Sequence, residues 1–129
     1  LETRPDHLEE AEVLRSRRLG ATRLQVGFQS LSDRVLELNG RGHDVAAIRR
    51  AVLLLRQGGF KILAHWMPNL YGSSPQADRQ ELRRLFSDPG FRPDELKIYP
   101  CSLVESAELM AYYEREQDNP ALQWNPFEA

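Results

Sequence analysis

Four extended stretches divide the chain at nearly even intervals, and that spacing limits its fold more than any other feature. They end near Thr3, Gln29, His65 and Tyr99, about one β-helix-β unit apart each time. Thr22-Arg23-Leu24-Gln25-Val26-Gly27-Phe28-Gln29 alternates with period two, and Phe60 to Met67 and Leu96 to Tyr99 read as further strands, stopped by Pro68 and Pro100. Helical patterns fill the gaps. The spacing predicts a helix from Asp6 to Leu19 with Asp6 as N-cap and Gly20 as its stop, and a short one capped by Ser30 or Ser32 and running to about Asn39. Asp44 caps a helix from Val45 to about Gln57, with Val45, Ile48, Val52 and Leu55 on one stripe; a further helix covers Gln76 to Phe86. A last one is expected from about Leu103 to Glu116, then an irregular tail from 117 to 129 that carries Trp124 and Phe127.

Strands alternating with helices at these crossover lengths predict an α/β fold with a parallel sheet. No Gly-x-Gly-x-x-Gly follows a strand, so a dinucleotide fold has no positive support. Four strands with no closing partner describe part of a (β/α) barrel, about half of one, over residues 1–116.

Composition excludes several function classes. With 129 residues, 17 Lys+Arg and 19 Asp+Glu, the chain has room for one domain and carries neither a strongly basic arm nor an acidic tail. The single cysteine, Cys101, forms no internal disulfide and cannot by itself hold zinc or an iron–sulfur cluster. It follows a proline at a strand end and reads as an inert packed thiol, and a zinc site from His43, His65 and Cys101 lacks any closely spaced ligand pair. No apolar run nears a membrane span and no signal peptide opens the chain, so an intracellular, cytoplasmic setting is expected. The chain starts on Leu-Glu-Thr, as if cut from something longer. The pairs Arg17-Arg18, Arg49-Arg50 and Arg83-Arg84 read mostly as solvated helix faces.

Open parallel sheets and barrels bind ligands at the C-terminal ends of their strands. Leu24, Val26 and Phe28 share one strand face; Gln25, Gly27 and Gln29 share the other. Lys61, Leu63, His65 and Met67 form one face of the next strand, and Lys97, Tyr99 and Cys101 one side of the third. A barrel interior is normally filled by Val, Ile and Leu, whereas this one would hold Gln, His, Lys and Tyr. Buried polar groups are costly unless paired, so the lining implies either a polar ligand or water-filled cavity, or a self-satisfied hydrogen-bond network. Glu2-Thr3-Arg4-Pro5-Asp6 supplies both charge signs a zwitterionic ligand requires, or else is a strand-to-helix turn. Arg41, between Gly40 and Gly42, can reach an anion or sits in a loop that needs only flexibility; His65 is a ligand contact, a proton carrier or a satisfied core histidine.

One ordered set of motifs narrows these alternatives. Glu2 to Asp6, Thr22 to Ser30, Arg41-Gly42-His43-Asp44-Val45, Gly59-Phe60-Lys61-Ile62, His65-Trp66-Met67-Pro68, Phe91-Arg92-Pro93-Asp94 and Leu96-Lys97-Ile98-Tyr99-Pro100 together resemble the radical S-adenosylmethionine domain of the Elongator catalytic subunit family, to about Tyr113. The family's members modify tRNA uridine-34 and have long been described as histone acetyltransferases. The resemblance implies a partial (β/α) barrel with a [4Fe–4S] cluster, acetyl-CoA as source of a two-carbon unit, a 5′-deoxyadenosyl radical to join it to C5 of the wobble uridine, and a C-terminal acetyltransferase domain. The cluster is held by three cysteines early in the barrel, which this chain lacks. The chain then corresponds to the C-terminal half of the radical domain, expected to be inactive alone, to self-associate, and to work with tRNA and the remainder of its parent. By the same resemblance Glu2 would bind the methionyl amine of S-adenosylmethionine, Arg41 its carboxylate and Gln29 the ribose, with His65 contacting ribose or methionine. Lys97 and Tyr99 would face acetyl-CoA or the uridine. The loop Asn39-Gly40-Arg41-Gly42-His43 is one residue longer than the family's Asn-Arg-Gly-His. Two rivals remain: a non-radical barrel that binds tRNA and acetyl-CoA, and another radical enzyme of the coproporphyrinogen oxidase type.

Overall fold

A computed structural model describes residues 1–102, 108–116 and 118–119. Its strands are β1 (Glu2–Thr3), β2 (Arg23–Gln29), β3 (Lys61–Trp66) and β4 (Glu95–Ile98). The helices are α1 (Glu10–Arg18), α2 (Asp33–Leu38), α3 (Val45–Gln57), α4 (Pro75–Ser87) and α5 (Glu108–Arg115), with a 3-10 turn at Pro5–His7. The sheet runs β1-β2-β3-β4 and every neighbouring pair is parallel. This is the α/β architecture of parallel crossover units expected from the spacing. The beginning of the expected last helix and the tail with Trp124 and Phe127 lie outside the described residues.

Helix starts follow the capping chemistry of the sequence. The Ser32, Asp44 and Ser74 side chains accept from the backbone N–H groups of Val35, Ala47 and Ala77, three residues on in each case. The first helix departs from expectation. Asp6 caps nothing: its carboxylate accepts two bonds from Arg4, and α1 starts four residues later, at Glu10. Leu8 is responsible, because it is drawn into the core in an extended conformation that ends the short turn opened by Pro5. Gly20, at φ 81°, stops α1 as expected.

The core lies on one face of the sheet. Leu24, Val26 and Phe28 of β2 and Ile62, Ala64 and Trp66 of β3 pack with Ile48, Ala51, Val52 and Leu55 of α3 and with Leu85 of α4. Burial of this alternate set of strand residues is the main stabilising term. Arginines close its rim. Arg17 lies over the Phe60 ring at 4.8 Å, and Arg49 and Arg84 lie over Phe91 at 4.1 and 5.0 Å. One member of each basic pair is therefore a structural clamp rather than part of a solvated face.

The Phe91 to Asp94 segment anchors β4. Asp94 exchanges backbone and side-chain bonds with Ile62: its N–H donates to the Ile62 carbonyl, and its carboxylate accepts the Ile62 N–H at 2.8 Å. Arg56 and Lys61 pair with the same carboxylate. These partners sit at the N-terminal edge of the sheet, away from the ends where ligands bind.

Candidate functional site

The sheet face opposite the core divides along the strand direction. Near the strand starts it is self-satisfied. Arg23 donates to Glu95 at 2.8 Å and Lys97 donates to Gln25 at 2.9 Å, and both bridges reach across β3. Leu63, the register partner of Gln25 and Glu95, is buried between them. The two readings of the polar lining thus hold for different halves of the face. Toward the strand ends, two buried polar atoms have no hydrogen-bond partner among the described residues: Gln29 Oε1 and His65 Nε2.

Gln29 owes its place to a bulge. Gly27 pairs with His65 but Gln29 pairs with Trp66, so Phe28 is an extra residue that drops into the core. Gln29 takes φ 69°, uncommon for a residue with a side chain, and its amide folds back over Gly27. A Cβ on Gly27 would stand 2.9 Å from Gln29 Nε2, so any side chain there would displace the Gln29 amide. The loop beyond is held from α4: Glu81 accepts from Ser30 Oγ and from the Leu31 N–H, both at 2.8 Å. Burial raises the pKa of Glu81, and these two hydrogen bonds oppose the shift.

Arg41 reaches the same region through a loop in which Gly40 and Gly42 have φ of 59° and 74°. The Arg4 guanidinium occupies the place a side chain on Gly42 would fill. His43 ties loop to strand: Nε2 stands 3.2 Å from the Phe28 carbonyl and Nδ1 3.3 Å from that of Arg41. Burial, and then the neighbouring Arg4 charge, push the Arg41 pKa down from its usual value. Burial also raises the Cys101 thiol pKa, against the pull of Arg41.

These residues open onto a groove of about 570 Å³ lined by Glu2, Thr3, Arg4, His7, Gly27, Gln29, Gly40, Arg41 and His43. Arg4 is neutralised by Asp6, at 2.9 Å. Among the described residues, Glu2 and Arg41 have no ion-pair partner, so the groove holds two uncompensated charges of opposite sign with a buried amide oxygen. A larger concavity of about 770 Å³ over Asp6, Asp33, Glu37 and Arg50 includes neither Gln29 nor His65.

The structure therefore brings Glu2, Gln29 and Arg41 into one groove. His65 lies on the adjacent strand, with its ring edge-to-face against Tyr99 at 4.8 Å. Lys97 is turned onto Gln25, and Tyr99 is half exposed. Sequence does not single out Glu81, and it offers Gln25 only as part of the polar strand face and His43 only in a zinc set without close ligand spacing. Alternation does mark Gln25 as facing the polar side, but nothing local marks Glu81, which acts from 50 residues away. Among the described residues, no group of three His, Cys, Asp or Glu side chains could hold a metal ion, and no helix is long and apolar enough to cross a membrane.

No protein-family model matches the chain. Individual relatives do. The tRNA uridine(34) acetyltransferase of Methanocaldococcus infernus is 40% identical over 120 residues, 93% of this chain and 22% of that protein. Elongator complex protein 3 of Homo sapiens is 36% identical over 109 residues, 84% of this chain and 20% of that protein. Among solved structures, Methanocaldococcus infernus Elp3 with an N-terminal deletion superposes with a TM-score of 0.84 at 41% identity, covering 88% of this chain and 27% of that one. Coproporphyrinogen III oxidase from Escherichia coli, a radical SAM enzyme, gives 0.69 at 21% identity over 95% of this chain and 26% of that one, which bears on the fold alone. The chain spans about a fifth of the length of the curated relatives it matches. By sequence and by fold, the chain is similar to one segment of tRNA uridine(34) acetyltransferases and of Elongator complex protein 3.

Proposed function

We propose that the chain supplies the second half of a radical S-adenosylmethionine barrel in a tRNA wobble-uridine modifying enzyme, and that the groove around Gln29 holds S-adenosylmethionine. One observation carries this reading: Glu2 and Arg41, unpaired and of opposite sign, line one groove with the buried, unpartnered Gln29 Oε1. The amino-acid end of the cofactor is a zwitterion and its ribose offers hydroxyl donors, so the donor set fits. Glu2 would take the ammonium, Arg41 the carboxylate and Gln29 a ribose hydroxyl, with His65 at the ribose or methionine portion. When bound with a [4Fe–4S] cluster, S-adenosylmethionine supplies the one-electron chemistry needed to functionalise the uridine ring. The residues of this chain do not fit the cluster itself, since Cys101 is its one cysteine; the cluster ligands belong to the remainder of the parent.

Acetyl-CoA as two-carbon donor, an acetyltransferase domain elsewhere in the parent and tRNA as substrate complete the reading. Tyr99, half exposed beside His65, is better placed than Lys97 to meet acetyl-CoA or the uridine. Residues 1–116 act as the barrel half and 117–129 as its tail, and the chain alone is inactive. Calorimetric binding of S-adenosylmethionine to the full-length protein tests the site. A charge-assisted hydrogen bond is worth about 1.5–3 kcal/mol, so Arg41→Ala and Glu2→Gln should each weaken binding roughly 10- to 100-fold. Unchanged affinity in both folded variants overturns the assignment.

A further inference from the structure

The contacts around His65 decide which of its ring nitrogens carries hydrogen. Lys97 Nζ lies 2.9 Å from Gln25 Oε1, and Gln25 Nε2 lies 3.5 Å from His65 Nδ1. An ammonium has hydrogens and no lone pair, so it can only donate. Its contact turns the Gln25 oxygen toward Lys97 and the amide NH₂ toward His65. An amide NH₂ also only donates, so this long contact of 3.5 Å favours a lone pair on Nδ1. In a neutral imidazole the hydrogen then sits on Nε2. That nitrogen is buried and has no partner among the described residues.

We infer that Lys97 and Gln25 are positioning residues that bias His65 toward the Nε2–H tautomer, so that His65 meets its ligand as a hydrogen-bond donor. The inference goes beyond the cofactor reading and does not depend on it, because it uses only atoms of this chain. It also defines the ligand chemistry on that side of the face. An acceptor atom, from a hydroxyl, carbonyl, carboxylate or heteroaromatic ring, satisfies Nε2–H; an ammonium or a metal cation does not, since the protonated nitrogen has no lone pair to offer. Lys97 acts through Gln25 and need not touch the ligand at all.

Nitrogen-15 NMR on protein labelled selectively at histidine reads the tautomer directly. The chain has three histidines, and a His65→Gln sample identifies the resonances of interest. Measured well above the ordinary histidine pKa of about 6.5, the wild type should show a protonated Nε2 and a lone-pair Nδ1. Gln25→Glu supplies an acceptor-only group, which keeps Lys97 but reverses what is asked of His65, so Nδ1 should gain a hydrogen. Lys97→Met, at an exposed side chain, removes the donor that orients the amide, and the two nitrogen shifts should move toward their average. The Lys97 variant carries the test if Gln25→Glu fails to fold. An Nδ1–H ring in the wild type, or a folded variant of either kind with an unchanged pattern, overturns the inference.

Discussion

Gly27 and Gln29 act as a pair in which the missing side chain of one makes room for the other. The amide of Gln29 can fold back over β2 because nothing projects from Gly27, and the positive φ at Gln29 directs it there. Gly27→Ala should leave thermal stability nearly unchanged, since the contacted atom is the far end of a flexible side chain. Affinity for S-adenosylmethionine should nevertheless fall about 10-fold, the size of a hydrogen bond lost by displacement of the amide. Paired thermal melts and calorimetry distinguish this from general disruption, which would lower both. His43 is equally local in action. It spans two carbonyl oxygens, one beside the bulge and one at Arg41, so it ties the two candidate binding residues to a common frame.

Two carboxylates fasten elements together, and their titrations act with opposite sign. Glu81 of α4 holds the loop after β2, and burial raises its folded pKa. A raised pKa favours the protonated form in the folded state, so its stability contribution is full below the unfolded value and is lost as pH rises through the folded one. Glu81→Gln keeps an acceptor oxygen for both bonds and removes the buried charge. It should raise the melting temperature at neutral pH, and the gain should shrink in acid. Asp94 is the reverse case: the Ile62 N–H, then Arg56 and Lys61, hold its pKa down against burial. Its contribution is present above the ordinary carboxylate range and is lost as pH falls through the depressed folded value. Asp94→Ala leaves the N–H of the buried Ile62 without its side-chain acceptor and should cost about 1–3 kcal/mol in denaturant melts.

The strands, the caps at Ser32 and Asp44 and the polar face were legible because period two and N-cap chemistry are local signals. The bulge at Phe28 was not, because register belongs to a pair of strands and one strand's alternation cannot reveal it. Alternation still placed Gln29 with Gln25 and Gly27, although a twist of the backbone rather than the pleat delivers its amide there. Asp6 has the residue type of a cap but does not act as one, because Leu8 is drawn into the core, which no local signal marks. The Arg4–Asp6 pair likewise removes two members of the charge cluster expected to face a zwitterion, leaving Glu2, which Arg41 joins from the later loop.

At the scale of the whole molecule, β1 and β4 are the two edge strands of the sheet and pair with no further strand among the described residues. β1 is two residues long, and β4 ends on Ile98, followed by Tyr99, both about half exposed. Unpaired edges and uncovered apolar groups favour association. The chain by itself should form concentration-dependent oligomers in light scattering, and a monodisperse monomer would contradict this. Within a longer parent the same edges would meet the remaining strands of the barrel, with the groove at Gln29 facing its centre. On the proposed reading, this half would orient S-adenosylmethionine while residues elsewhere in the parent would hold the cluster. The most direct test is 5′-deoxyadenosine formation by the anaerobically reconstituted full-length protein, with and without tRNA, in wild type and Gln29→Ala. The account predicts product that rises with tRNA and falls in the variant at equal iron content. Product that Gln29→Ala leaves unchanged, or no product despite a full iron load, would contradict it.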